Sequence, residues 1–200
     1  MNAFISRYAN WILVSLTVLF LLFWLFSGFS VLLFLLILFT LYMYRITKVE
    51  VVCTDEKAIL APVDGEIISI QKIEHKILGT CVELQIKNSF YEPGTIRACT
   101  DMSIDDYRLR YGLFGCEQRS LNERVFIFAK TSHNKAFAMR IFAGCLDRAL
   151  KLSDKSFFKP GEEMAFSMNS TISLLLPSDT RLVVGLRDKV KAVSLLGYFS

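Results

Sequence analysis

Positions 8–44 carry no charged residue, and Arg7 and Arg45 flank them. At about 1.5 Å per residue this run would make roughly 56 Å of continuous helix, against a bilayer hydrocarbon core of about 30 Å. One straight span is therefore far too long. Two short apolar helices near 9–26 and 31–44 fit the run better, with Ser27 and Gly28 supplying the reversal between them. Arg7 before the run and Arg45 and Lys48 after it are both basic flanks, which puts both ends on the cytoplasmic side of a transmembrane hairpin, either a full double crossing or a shallow re-entrant one. Trp11, Trp24 and Tyr42 to Tyr44 are candidate interfacial anchors. The run is too long for a cleaved signal peptide, and no small-residue cleavage site leads into a polar start. The sequence is 53% hydrophobic, and this segment holds most of the excess. The division expected is a membrane hairpin over 1–48 and a separate domain over 51–200.

Without Arg7, Arg45, Lys48 and Glu50, the segment from Val51 onward keeps a net charge of only +2. That is too little for a nucleic-acid footprint. Five cysteines, at 53, 81, 99, 116 and 145, form no C-x-x-C pair. An odd number without that spacing argues against a disulfide framework and against a zinc ribbon, so no metal is expected. Buried thiols on the reducing, cytoplasmic side fit better.

The domain reads as mainly β, a β-rich α+β chain of barrel-like or sandwich-like character. Ala58–Pro62 and Glu66–Ile70 flank the turn Val63-Asp64-Gly65. Cys81–Lys87 alternates apolar and polar residues at period two, the mark of a half-buried strand. Arg124–Lys130 and Ala136–Phe142 predict a hairpin. Further strands are expected at Met164–Phe166, Ile172–Leu176, Arg181–Val184 and Val190–Leu195. Helix in the domain is confined to Ser103–Arg110 or Asp147–Leu152. A lipoyl or biotinyl carrier would share the turn rhythm, but Lys189 and Lys191 lack the flanks of a modified carrier lysine.

Four blocks carry a resemblance. Gly161-Glu162-Glu163-Met164-Ala165-Phe166-Ser167-Met168-Asn169-Ser170-Thr171-Ile172 resembles the processing site G-x-x-M-G-x-F-x-L-G-S-T-V of phosphatidylserine decarboxylases. Ala61-Pro62-Val63-Asp64-Gly65 is similar to S-P-A-D-G of that family. Met102 to Tyr111 is similar to L-S-P-x-D-Y-H-R-x-H. Asn122-Glu123-Arg124-Val125 repeats N-E-R-V, followed at a matching distance by Ala143-Gly144. The blocks occur in the family's order.

The resemblance implies a membrane-anchored proenzyme of phospholipid biosynthesis that makes phosphatidylethanolamine. It would cleave itself between Asn169 and Ser170 and convert Ser170 to a pyruvoyl cofactor. In that family the serine hydroxyl attacks the preceding carbonyl, and the pyruvoyl group then serves as electron sink for decarboxylation. Carried over by position, Ser170 and Asp64 are the catalytic pair. Arg108 and Tyr111 stand where the family has histidines, and arginine cannot serve as a base near neutral pH. Arg108, Arg110 and Tyr111 become candidates for substrate binding. The only histidines, His75 and His133, lie in polar, turn-like contexts. Asn169 replaces glycine, and Asn is among the non-glycine residues that better tolerate positive φ. The partners implied are a phospholipid substrate and the membrane, with homo-oligomerisation left open. The competing reading is an unprocessed, catalytically silent relative that binds phospholipid or a membrane partner.

Overall fold

A computed structural model describes residues 10–47, 49, 51, 53, 55–113, 121–144, 153 and 155–200. The chain forms two compact units, Met1–Lys48 and Val49–Ser200.

The first unit is a helical hairpin. Helix α1 (Asn10–Ser27) is followed by α2 (Val31–Met43). Gly28 ends α1 with φ of 90°, a left-handed geometry that costs glycine little, and its N–H donates to the Trp24 carbonyl at 3.2 Å. Ser30 caps α2, its hydroxyl accepting from the Leu33 N–H. Phe20 of α1 meets Phe29 edge-on, with ring centroids 5.6 Å apart. The helices form where the sequence places them. Among the described residues no helix is long and apolar enough to cross a membrane. With 18 and 13 residues, the helices measure about 27 and 20 Å, short of a core of about 30 Å. The reversal at Gly28–Ser30 divides one long apolar run into two pieces, and the described helices give no support to the expected double crossing.

The named secondary-structure elements of the second unit are all strands. Its strands are β1 (Ala58–Leu60), β2 (Gly65–His75), β3 (Gly79–Lys87), β4 (Thr95–Arg97), β5 (Met102–Arg110), β6 (Arg124–Thr131), β7 (Ala136–Phe142), β8 (Phe157–Phe158), β9 (Glu163–Phe166), β10 (Thr171–Pro177), β11 (Arg181–Leu182), β12 (Lys189–Val190) and β13 (Leu195–Tyr198). Eight of them form one antiparallel sheet in the order β12-β2-β3-β10-β7-β6-β5-β8, with β10 near its middle. The strands β1-β13-β11 and β4-β9 form two small sheets.

Strand alternation gives the large sheet two faces. Ile67, Leu84, Ile127, Ile141, Ile172 and Leu174 point inward, and they share one buried cluster with Ile59, Ile96, Ala165 and Leu196 of the small sheets. On the outer face the long β2–β3 hairpin bends over its neighbours. Ile73 and Leu78 near its tip pack with Ala138, Leu175, Phe126 and Phe128.

Ser103–Arg110, read as helix, is strand β5. A bulge between Ile104 and Asp106 inserts an extra residue, so the apolar positions no longer fall at period two. Val190–Leu195 divides into β12 and β13, joined through a turn with Val193 at φ of 69°. The Asp147–Leu152 helix, Arg7, Lys48, Cys116 and Cys145 lie outside the described residues. Cys81 and Cys99 are free and buried. Burial pushes the Cys99 thiol up to about 12 and raises Cys81 as well, so both are inert thiols at neutral pH.

Candidate active site

The register of the large sheet gathers the four sequence blocks at one end. Glu66 of β2 pairs with Lys87 of β3, which pairs with Thr171 of β10. Thr171 pairs with Phe142 of β7, Phe142 with Arg124 of β6, and Arg124 with Arg110 of β5. Asp64-Gly65, Asn169-Ser170, Ala143-Gly144, Asn122-Glu123 and Tyr111 all lie beside this row.

The peptide between Asn169 and Ser170 is held from both sides. Asn169 takes φ of 52°. The position where the sequence motif expects glycine therefore does adopt the left-handed geometry glycine favours, and asparagine sustains it at modest cost. Its carbonyl accepts a hydrogen bond of 2.7 Å from the half-buried Lys87 ammonium. Its N–H donates to Asn88 Oδ1 at 3.2 Å, and the Ser170 carbonyl accepts from the Asn88 N–H at 3.0 Å. Asn88 is fully buried and its Nδ2 donates to the carbonyls of Asp64 (2.9 Å) and Pro93 (3.1 Å). One asparagine thus ties the Asp64 turn to both residues of the candidate scissile bond.

On the other side lies the turn after β7. Asn122 Nδ2 donates to the Ala143 carbonyl, and the Ala143 N–H donates to the Glu123 carbonyl at 2.8 Å. This turn presses on the Asn169 peptide: a methyl group at Gly144 would lie 1.9 Å from the Met168 carbonyl oxygen and 2.6 Å from the Asn169 carbonyl carbon. Gly65 allows a similar approach on the opposite side, where a methyl group would meet the Lys87 carbonyl oxygen at 2.4 Å. Gly144→Ala should therefore displace the Asn169 peptide and cost about 1–3 kcal/mol of stability. A thermal melt of the variant checks this, and an unchanged midpoint would contradict the packing.

Ser170 is completely buried, and its hydroxyl donates to the Ser167 carbonyl at 3.4 Å. By alternation it faces inward with Ile172. Asp64 is half-buried, and its Oδ1 accepts the Ala192 N–H at 3.0 Å, so its carboxylate braces the turn between β12 and β13. Arg108 and Arg110 do not share the environment of the Ser170 hydroxyl. They stand on the outer face of β5, three strands from β10, or about 14 Å at the usual spacing of about 4.8 Å. Arg108 Nε pairs with Asp106 at 3.1 Å in an exposed contact, and Tyr111 is largely exposed. Neither histidine lies beside Ser170. His133 Nε2 meets Glu56 at 3.2 Å in the β6–β7 turn, and the His75 ring stacks on Phe126 on the outer face.

Sequence reasoning missed Lys87 and Asn88. They end the clearly alternating strand Cys81–Lys87, where their types read as an ordinary solvated strand end. Only the pairing of β3 with β10 brings them to Asn169.

Residues 78–198 match the family model for phosphatidylserine decarboxylase. The chain belongs to this family. The phosphatidylserine decarboxylase proenzyme of Desulfotalea psychrophila (strain LSv54 / DSM 12343) is 29% identical over 162 residues, covering 76% of this chain and 75% of that protein. No solved structure matches the chain. The phosphatidylserine decarboxylase match takes in Lys87, Asn88, the Asn122–Gly144 segment and Ser170, while Asp64 lies before it.

Proposed function

We propose that the chain is a membrane-attached, phosphatidylserine decarboxylase-type protein that processes itself between Asn169 and Ser170. The Lys87 ammonium on the Asn169 carbonyl carries this reading. In the first step the Ser170 Oγ would attack the Asn169 carbonyl carbon. An O–C bond forms, the C–N bond breaks, and the hydroxyl proton passes to the departing amine nitrogen of Ser170. Negative charge grows on the Asn169 oxygen as the carbonyl is attacked, where Lys87 already donates. The left-handed turn at Asn169 and the three hydrogen bonds around the peptide hold the carbonyl in place, which lowers the ordering cost of the step. A pyruvoyl group at position 170 would supply the electron sink for decarboxylating phosphatidylserine to phosphatidylethanolamine. The hydroxyl and polarised carbonyl fit its formation.

The mass of the intact purified chain tests the reading. Self-processing gives two pieces, 1–169 and 170–200, the second with a blocked, carbonyl-bearing N-terminus. A single chain of 22.8 kDa under native expression would sink it.

A second reading, an unprocessed relative that binds phospholipid, is favoured by one observation. Arg108 and Tyr111 occupy the family's histidine positions, and neither His75 nor His133 lies beside Ser170 to replace them.

Membrane attachment through α1 and α2 belongs to both readings, with the helices lying in one leaflet rather than crossing it. Its support is the apolar surface of the hairpin: Trp11, Leu25, Phe26 and Leu32 are each more than three-quarters exposed. Each such side chain gains about 1.5–3 kcal/mol when withdrawn from water. The full-length protein should float with phosphatidylcholine vesicles, and the double variant Leu25→Glu, Leu32→Glu should lose most of that flotation. Equal flotation of both would refute shallow insertion.

A further inference from the structure

The outer face of the large sheet carries an arginine cluster that the processing reaction does not use. Arg110 of β5 lies directly opposite Arg124 of β6, and Phe126 lies opposite both Arg108 and Arg140. All these side chains share one face, because residues paired across strands point the same way. They line a cleft of about 500 Å³ closed on one side by the tip of the β2–β3 hairpin. That volume falls within the range of about 300–1,000 Å³ typical of ligand sites. The floor is aromatic: Phe126 and Phe128 lie 4.4 Å apart, and His75 stacks on Phe126 at 5.5 Å with an interplanar angle of 11°. The Arg140 guanidinium sits 5.1 Å above the Phe126 ring.

Such an arrangement is costly on its own. Like charges directly opposite on a sheet repel, and the described residues lining the cleft include no carboxylate. Burial lowers the Arg124 pKa, and Arg110 and Arg140 lower it further. Asp106 pairs with Arg108 at 3.1 Å, and Glu83 lies 3.8 Å from Arg140. An anion entering the cleft would turn this repulsion into attraction for several guanidinium groups at once. Phosphate suits it best. Each guanidinium fork can take two of its oxygens, and its charge and tetrahedral shape allow several forks to converge. A planar carboxylate is satisfied by a single fork.

We propose that this cleft binds a phosphate group, as a monoester or diester, between Arg110, Arg124 and Arg140 over the Phe126–Phe128 floor. It lies on the face of the sheet opposite the Ser170 hydroxyl. The site stands whether or not the chain is processed. The phosphate can come from a lipid headgroup or from a soluble phosphate compound.

Titration calorimetry on the full-length protein in a neutral detergent separates these sources, with inorganic pyrophosphate in one arm and dihexanoyl phosphatidic acid in the other. The expected result is saturable binding in at least one arm, weakening as salt is raised. Saturation by the lipid alone assigns a lipid headgroup, and saturation by pyrophosphate assigns a soluble compound. Arg110→Gln with Arg124→Gln should lower affinity at least 30-fold. The melting temperature of this variant is read alongside, so that lost binding is told apart from lost folding. Arg108→Gln, on an exposed side chain, is the second variant and should lower affinity several-fold. Ser170→Ala should bind as the parent chain does. No saturation in either arm, or equal binding by the parent and both arginine variants, would overturn the proposal. Processing is read separately from intact mass, so failure of one does not imply failure of the other.

Discussion

Ser170→Ala is expected to leave the chain in one piece while the parent separates after Asn169. The effect should be complete, because the hydroxyl is the nucleophile and no neighbouring group can supply the oxygen. Ser170 is fully buried and its hydroxyl has the Ser167 carbonyl as acceptor. Loss of that single bond leaves little unsatisfied, so folding should survive and the melting temperature should change only slightly. Thr171 is the adjacent hydroxyl, but its side chain faces the other side of the sheet by alternation. Intact mass spectrometry of both proteins after equal incubation decides the matter. Cleavage of the alanine variant at the same bond would show that a protease, rather than the chain itself, makes the cut.

Lys87→Met should slow self-cleavage by about 10²–10³-fold, the usual loss when one donor to a developing oxyanion is removed. Methionine keeps most of the apolar stem of lysine and packs adaptably. The change therefore removes the charge at the Asn169 carbonyl while keeping much of the volume. Lys87→Arg should restore part of the rate, since a guanidinium can also donate but is bulkier at a half-buried site. The measurement is the half-time of conversion from one piece to two. A Lys87→Met chain that matures as fast as the parent would reduce Lys87 to a structural tether for the loop before β10. Stability and rate are expected to separate here: the melting temperature should fall modestly, while the half-time should lengthen by orders of magnitude.

The β-character of the domain was legible because Cys81–Lys87 and the hairpin at Arg124–Phe142 alternate clearly. The Asp64 turn followed from residue type, since small polar residues and glycine mark reversals, whereas the left-handed geometry at Asn169 was suggested only by the glycine that the resembled motif has there. Ser103–Arg110 was not legible, because a bulge erases the two-residue period that distinguishes strand from helix. The helical hairpin at the N-terminus was legible from its uncharged apolar run and from Ser27 and Gly28, but no described helix is long and apolar enough to cross a membrane. Lys87 and Asn88 were hidden for a different reason. Their roles come from a pairing that joins positions more than eighty residues apart, and no local pattern records it. The same holds for the arginine cleft, where Arg110, Arg124 and Arg140 belong to three strands and become neighbours only through register.

The position of β10 has a consequence for what a cut after Asn169 would leave behind. Thr171–Pro177 runs between β3 and β7, hydrogen-bonded on both edges. The short piece 170–200 would also carry β11, which pairs with β13, and β12 and β13, which pair with β2 and β1 of the long piece. Neither product would be a folded body on its own. The short piece would stay threaded through the sheet like a rib, and the molecule would keep one hydrodynamic size in solution while giving two bands once denatured. Its new N-terminus would emerge inside the fold, beside Lys87 and Asn88, rather than on a free tail.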